Sequence, residues 1–153
     1  TGVQTCALPI WGYPSNTWEK INNTWYYFNL DGYMLNGWQQ INGSWYYLGA
    51  NGAMTRGWQA VNGRWYYMNG DGVMLTGWQY LSGRWYYLDG SGAMLTGWQF
   101  INGHWYYMND SGIMLTGWQF INGAWYYLDS SGAMYANQTT PDGYYVDSSG
   151  KRN

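Results

Sequence analysis

Charge is scarce in this sequence. Of its 153 residues, 9% are Asp, Glu, Lys or Arg, and six basic against eight acidic side chains leave a net charge of −2. A nucleic-acid binder needs a basic face to neutralise phosphates. Lys20, Arg56, Arg64, Arg84, Lys151 and Arg152 are too few and too scattered to make one, and base-stacking aromatics without cations make a poor single-strand binder. The single cysteine, Cys6, excludes an internal disulfide and a thiolate metal cluster. No run of about 18 apolar residues exists, so no membrane-spanning helix is expected. An N-terminal Met, a basic start and a long apolar run are all missing, so no signal peptide is visible and the chain is expected to be a fragment. The usual core formers are thin as well: Leu, Ile, Val and Phe together number 23, or 15%.

Aromatic residues stand in their place. Thirteen Trp, 18 Tyr and 3 Phe make 22% of the chain. They bring large apolar area, and with so little net charge they argue against disorder. The 23 Gly against 3 Pro point to many tight turns.

The aromatics are periodic. Trp recurs at 18, 38, 58, 78, 98 and 118, and a second Trp at 25, 45, 65, 85, 105 and 125, both with a period of 20. Each second Trp opens a Trp-Tyr-Tyr triplet, and a Gly-x-Met follows, from Gly32–Met34 to Gly132–Met134. Fixed self-similarity of this length marks a repeat architecture. The full units are 18–37, 38–57, 58–77, 78–97, 98–117 and 118–137, preceded by the tail of a unit at 12–17. A degenerate cap follows at 138–153, where Tyr144-Tyr145-Val146 echoes Tyr126-Tyr127-Leu128 without either Trp. Atypical end units are common in such arrays. The repeat domain is therefore 12–153. Residues 1–11 match nothing in the repeat, and their start resembles translated adapter read-through.

Each unit reads as a β-hairpin. Asn42-Gly43 lies between Trp38-Gln39-Gln40-Ile41 and Ser44-Trp45-Tyr46-Tyr47-Leu48. Asn-Gly between such runs predicts a type I′ turn, which needs φ > 0 at both central residues. Asn62-Gly63, Asn102-Gly103 and Asn122-Gly123 repeat it, with Ser82-Gly83 and Asn22-Asn23 as weaker versions. A second turn falls at Asp31-Gly32, Asn51-Gly52, Asp71-Gly72 and the later Ser-Gly pairs. Nothing shows helical periodicity. An isolated hairpin is marginal in water, so the hairpins must stack, which predicts an all-β solenoid of successive hairpins.

A two-residue turn fixes the register. It pairs Ile41 with Ser44, Gln40 with Trp45, Gln39 with Tyr46 and Trp38 with Tyr47. Cross-strand partners share a face, so Trp38, Gln40, Trp45 and Tyr47 share one, and Gln39, Ile41, Ser44, Tyr46 and Leu48 the other. Stacking in one direction predicts a cleft between units, walled by Trp38 and Trp45 and closed by Tyr66. Some Trp and Tyr must also be core in a chain so poor in Leu and Val; a stacked interface can serve both roles by leaving a notch at its rim. Two Trp and a Tyr with no acid beside them suit a quaternary ammonium, which ring quadrupoles hold at roughly 0.5–1 kcal/mol per exposed face. One such site is weak, roughly millimolar, but several along an array retain a polymer that bears many ligands.

The pattern Gly-Trp-Gln-x-Ile-Asn-Gly-x-Trp-Tyr-Tyr-Leu-x-x-x-Gly-x-Met-x-Thr resembles the choline-binding, or cell-wall-binding, repeats of Gram-positive bacteria and their phages. The likeness covers residues 12–150; the first full unit departs, with Thr17 for Gly, Glu19 for Gln and Asn23 for Gly. The resemblance implies a left-handed superhelix of hairpins that binds phosphocholine on teichoic or lipoteichoic acid and anchors a separate effector, often a murein hydrolase, to the wall. In that family the pocket uses two Trp of one repeat and an aromatic of the next, with a Met nearby. Carried over, the pockets are Trp18/Trp25/Tyr46, Trp38/Trp45/Tyr66, Trp58/Trp65/Tyr86, Trp78/Trp85/Tyr106 and Trp98/Trp105/Tyr126. A sixth, Trp118/Trp125/Tyr144, falls against the shortened last unit. The first Tyr of each pair follows from the register; the second Tyr is the alternative.

Two other readings stay open. Related repeats bind glucans, with Gln39, Gln59, Gln79, Gln99 and Gln119 as polar partners, although the register puts these on the opposite face. The array could also be a passive spacer. Enzyme readings fail on inventory. His104, the only histidine, occupies a slot filled elsewhere by Thr24, Ser44, Arg64, Arg84 and Ala124, and Glu19 is the only Glu. No carboxylate pair is set apart for acid–base work, and no phosphate loop, nucleophile elbow or metal spacing appears. No cofactor is expected. Asp31, Asp71, Asp89, Asp110 and Asp129 lie around the second turn, where Asp is a turn former.

Overall fold

The structure, a computed structural model, describes residues 14–152. The expected non-repeat segment 1–11, the Gly12-Tyr13 start of the partial unit and Asn153 lie outside the described residues. The chain divides into two compact units, one ending at Leu75 and the other beginning at Thr76. The first holds β1 (Thr17–Ile21), β2 (Thr24–Phe28), β3 (Gly37–Ile41), β4 (Ser44–Leu48), β5 (Gly57–Val61) and β6 (Arg64–Met68). The second holds β7 (Gly77–Leu81), β8 (Arg84–Leu88), β9 (Gly97–Ile101), β10 (His104–Met108), β11 (Gly117–Ile121), β12 (Ala124–Leu128), β13 (Gln138–Thr139) and β14 (Tyr145–Val146). Consecutive strands pair in antiparallel two-stranded sheets, and there is no helix among the described residues.

The hairpin turns are built by left-handed backbone. Asn42 and Gly43 have φ of 50° and 82°, Asn122 and Gly123 48° and 85°, and the weaker pair Asn22-Asn23 still reaches 48° and 66°. Two positive φ values in succession are what a type I′ turn needs. The register follows as expected: Ile41 opposite Ser44, Gln40 opposite Trp45, Gln39 opposite Tyr46, Trp38 opposite Tyr47. The second turn is closed by the side chain of an Asn or Asp at its start, except in the β3–β4 hairpin, where Gly49 stands there and Asn51 Oδ1 accepts the Ala53 N–H at 3.1 Å. Asp129 Oδ1 accepts the Ser131 N–H at 2.8 Å, the Ser131 hydroxyl at 2.6 Å and the Ala133 N–H at 3.0 Å. Asn29, Asn69 and Asn109 accept the equivalent backbone N–H groups. Asp89, Asp129 and Asp147 thus serve local structure, as Asx turns do.

In each unit the core is built on one fully buried residue per hairpin. Phe28, Leu48 and Met68 in the first unit, and Leu88, Met108, Leu128 and Val146 in the second, are fully buried at the end of their strands. Ile41, Ile101 and Ile121 add a second layer. Each such side chain contributes about 1.5–3 kcal/mol on burial, which is how few aliphatic residues suffice.

Within each unit, backbone hydrogen bonds tie one hairpin to the next. The Met54 N–H donates to the Trp25 carbonyl at 2.8 Å and the Met74 N–H to the Trp45 carbonyl at 2.8 Å. In the second unit, Met114 donates to Trp85 at 2.9 Å and Met134 to Trp105 at 2.8 Å. The Met side chains lie against the following turn. A Cβ on Gly72 would stand 2.5 Å from the Met54 sulfur, and one on Gly132 would collide with Met114. Gly132 also has φ of 87°. This glycine is required twice over, by its backbone and by the methionine laid across it.

Candidate functional site

The site begins with the first Trp of each hairpin. Trp38 sits on β3 opposite Tyr47, whose ring is 5.1 Å away. Its other neighbours are Trp45 on the same hairpin, at 6.4 Å and 83°, and Tyr66 on the next, at 4.8 Å and 69°. Near-perpendicular rings leave a corner, not a stack. The second unit repeats the corner: Trp78–Trp85 at 6.3 Å and Trp78–Tyr106 at 4.9 Å, then Trp98–Trp105 at 6.4 Å and Trp98–Tyr126 at 4.8 Å. Trp18 meets Tyr46 at 4.9 Å. In each case it is the first Tyr of the pair that comes from the following hairpin. The second Tyr pairs with Trp on its own hairpin.

These corners open into notches. One of about 260 Å³ is lined by Trp18, Trp25, Tyr46, Met54, Arg56 and Asp71. Another of about 300 Å³ is lined by Trp78, Trp85, Tyr106, Met114, Ser130 and Ser131. A third of about 420 Å³ has Trp98, Trp105, Tyr126 and Met134, with Ser148 and Ser149. Methionine is thus a fourth wall as well as a spacer over the next turn. The second Trp stands out from the surface in the later notches, Trp85 at 42% and Trp105 at 43% exposed, so one wall is reachable from solvent; Trp25 in the first notch is half-buried. Trp58 and Trp65 form the same right-angled pair, 6.5 Å apart at 84°, in the first unit; Tyr86 belongs to the second unit.

Sequence reasoning missed two features of the site. The residue opposite the second Trp is an exposed ring throughout the second unit. Tyr80 lies 5.1 Å from Trp85, Phe100 5.2 Å from Trp105 and Phe120 5.3 Å from Trp125. These rings flank the Trp and hold its orientation. In the first unit Lys20, Gln40 and Ala60 take this place, the Lys20 ammonium standing 5.8 Å from the Trp25 ring. The signal was present in the register, since these residues are direct cross-strand partners.

The second concerns the glutamines. Gln79 Nε2 donates to the Thr76 carbonyl at 2.8 Å, and Gln39, Gln59, Gln99 and Gln119 make the equivalent bond three residues back. Each bond closes the bend at a positive-φ glycine, such as Gly77 at 75°. The amide donors are committed to the fold.

The last notch differs. Trp118 and Tyr144 are 5.9 Å apart at 82°. The Trp118 Nε1–H donates to Asp142 Oδ2 at 2.8 Å, and the Thr140 hydroxyl donates to Asp142 Oδ1 at 2.6 Å. The bonds from Thr140 and then Trp118 hold the Asp142 carboxyl below its usual value. The Arg152 guanidinium lies 3.6 Å from the Tyr144 ring centroid and 5.7 Å from that of Trp118. His104 is exposed on β10, and no group of three or more metal-ligating side chains occurs among the described residues.

Fold and site together define a class: repeated all-β hairpins that present aromatic corners fitted to a soft, weakly hydrated cation. The choline-binding repeat family model matches residues 16–56, 55–96 and 95–138, and the chain belongs to that family. Among solved structures, it is similar to choline binding protein F of Streptococcus pneumoniae, crystallised in the presence of a tetrasaccharide-pentapeptide analogue of peptidoglycan. Identity is 49% and TM-score 0.87, over 89% of this chain and 46% of that one. CbpJ of the same species matches at 47% identity and TM-score 0.85, over 89% and 47%. The modular autolysin LytC of S. pneumoniae matches at 28% identity and TM-score 0.63, over 92% and 38%. The chain therefore spans less than half the length of each of these proteins. Comparison with curated proteins gives no match.

Proposed function

We propose that residues 12–153 form a non-catalytic anchoring module that binds choline of phosphocholine-bearing teichoic or lipoteichoic acid at the bacterial cell surface. The observation that carries this reading is the recurrent three-ring corner of Trp78, Trp85 and Tyr106, with Met114 beside it. A quaternary ammonium donates no conventional hydrogen bond and is attracted to ring faces within about 6 Å. The notches Trp18/Trp25/Tyr46, Trp38/Trp45/Tyr66, Trp78/Trp85/Tyr106 and Trp98/Trp105/Tyr126 offer such faces. Family membership supports choline as the ligand. The glucan reading has less support, because one amide donor of each Gln closes a bend. We expect the hairpins to wind as the left-handed superhelix of the family. The longer relatives, an autolysin among them, support a role in holding an attached effector domain at the wall.

Choline titration followed by tryptophan fluorescence tests the proposal. A saturable response in the millimolar range is expected. No response up to tens of millimolar choline sinks it.

A further inference from the structure

Arg152 occupies the place of a methionine. Its N–H donates to the Trp125 carbonyl at 2.9 Å, as Met134 does to Trp105 one hairpin earlier. It bridges Val146 as Met134 bridges Leu128. In the earlier hairpins this position supplies an apolar wall to the notch. Here it supplies a cation, and the side chain turns it inward over Tyr144 and Trp118.

We propose that the Trp118/Trp125/Tyr144 notch is a cation site whose resident ligand is the chain's own Arg152, and that Arg152 thereby sets this notch apart from its neighbours in choline specificity. The inference rests on the choline reading of the other notches. Three observations converge on it. The guanidinium is centred on the Tyr144 face, where a ligand cation would sit, and a planar, weakly hydrated guanidinium is the side chain best suited to that face. The Trp118 and Tyr144 rings stand 5.9 Å apart, against 4.8–4.9 Å for the corresponding pairs at Trp38, Trp78 and Trp98. Asp142, bonded to the Trp118 indole, places a negative charge near the guanidinium, where the first and second notches of the latter unit carry serine as their polar lining.

A tethered cation competes at high effective concentration. An incoming ligand meets an open notch only for the fraction of time that Arg152 is away, and its apparent affinity falls by that fraction. Occupancy of nine-tenths weakens choline binding about tenfold at this notch alone.

The test is a choline titration of the whole chain, read at individual indole N–H resonances, for the wild type and for Arg152→Met, which restores the residue of the other hairpins. In the wild type, Trp78 and Trp98 are expected to shift saturably, with Trp118 responding only at about tenfold higher choline. In the variant, Trp118 is expected to titrate alongside Trp98. The inference is overturned if Trp118 and Trp98 titrate together in the wild type. It is equally overturned if Trp118 stays silent in Arg152→Met while Trp98 responds. Silence at every Trp in both chains defeats the choline reading and this inference with it, and the behaviour of Trp98 distinguishes the two failures. A binding-independent check is the Trp118 resonance without ligand: it must differ between the two chains, and identical spectra would contradict the guanidinium contact.

Discussion

Trp98 and Tyr126 meet edge to face, 4.8 Å between centroids at 65°, although they belong to different hairpins. The contact does two jobs. It holds one hairpin on the next, at about 0.5–1.5 kcal/mol beyond area burial, and it makes the corner in which a cation can rest. On the proposed choline reading, stability and recognition share a residue here, while the outer Trp of each notch is more nearly devoted to recognition.

That division predicts the outcome of Trp85→Ala. Trp85 is 42% exposed and touches Trp78 and Tyr80. Its loss is expected to cost about 0.5–1.5 kcal/mol of stability and to remove one choline site. Isothermal titration calorimetry should show stoichiometry reduced by one with neighbouring sites kept. Loss of all binding in a chain with an unchanged circular dichroism spectrum would contradict independent notches.

Two glycine substitutions separate backbone strain from packing. Gly123 has φ of 85° and open space where a Cβ would go, whereas Gly132 has φ of 87° and Met114 there. Gly123→Ala is expected to cost about 1–2 kcal/mol, the price of left-handed backbone alone. Gly132→Ala should lose about 1–3 kcal/mol more, because Met114 must leave its site. Urea unfolding of both variants measures the difference, and equal losses would show that the methionine moves aside freely.

Gln99→Ala tests the structural role of the glutamines. Loss of its bond to the Thr96 carbonyl is expected to lower stability by about 0.5–1.5 kcal/mol, with choline stoichiometry unchanged. Retention of the wild-type chain on a dextran column, abolished in this variant, would instead favour sugar recognition.

Acid should loosen the last notch first. Asp142 is held below its ordinary value of 3.8 by the bonds from Thr140 and Trp118. A depressed carboxyl stabilises the fold fully above its unfolded value, and that contribution is lost as pH falls through the folded one. The Trp118 indole N–H resonance is therefore expected to hold steady at neutral pH and to move only below about pH 4, while Trp98 stays in place. A Trp118 shift centred near neutrality would mean that another group governs the bond.

Much of this was legible because the turn chemistry is rigid. Asn42-Gly43 admits one register, which placed Trp38 with Trp45, and stacking the hairpins in one direction then aimed Tyr66 at them. The committed glutamines were not legible, since their partner is a carbonyl exposed only once the chain bends at a positive-φ glycine. Arg152 was overlooked for a different reason. It follows Gly150 at the interval by which Met134 follows Gly132, but a charged residue in an apolar slot reads as the end of the pattern until its guanidinium is seen against Tyr144.

The bond from each methionine N–H back to a Trp carbonyl spans the same stretch of sequence at Met54, Met74, Met114 and Met134. A gene for such a chain can grow or shrink by whole modules without rewriting any contact. Duplicating one unit adds an identical seam, whereas inserting a single codon disturbs only the seam in which it falls. Length, and with it the number of binding notches, is then free to drift under selection while the chemistry of each notch stays the same.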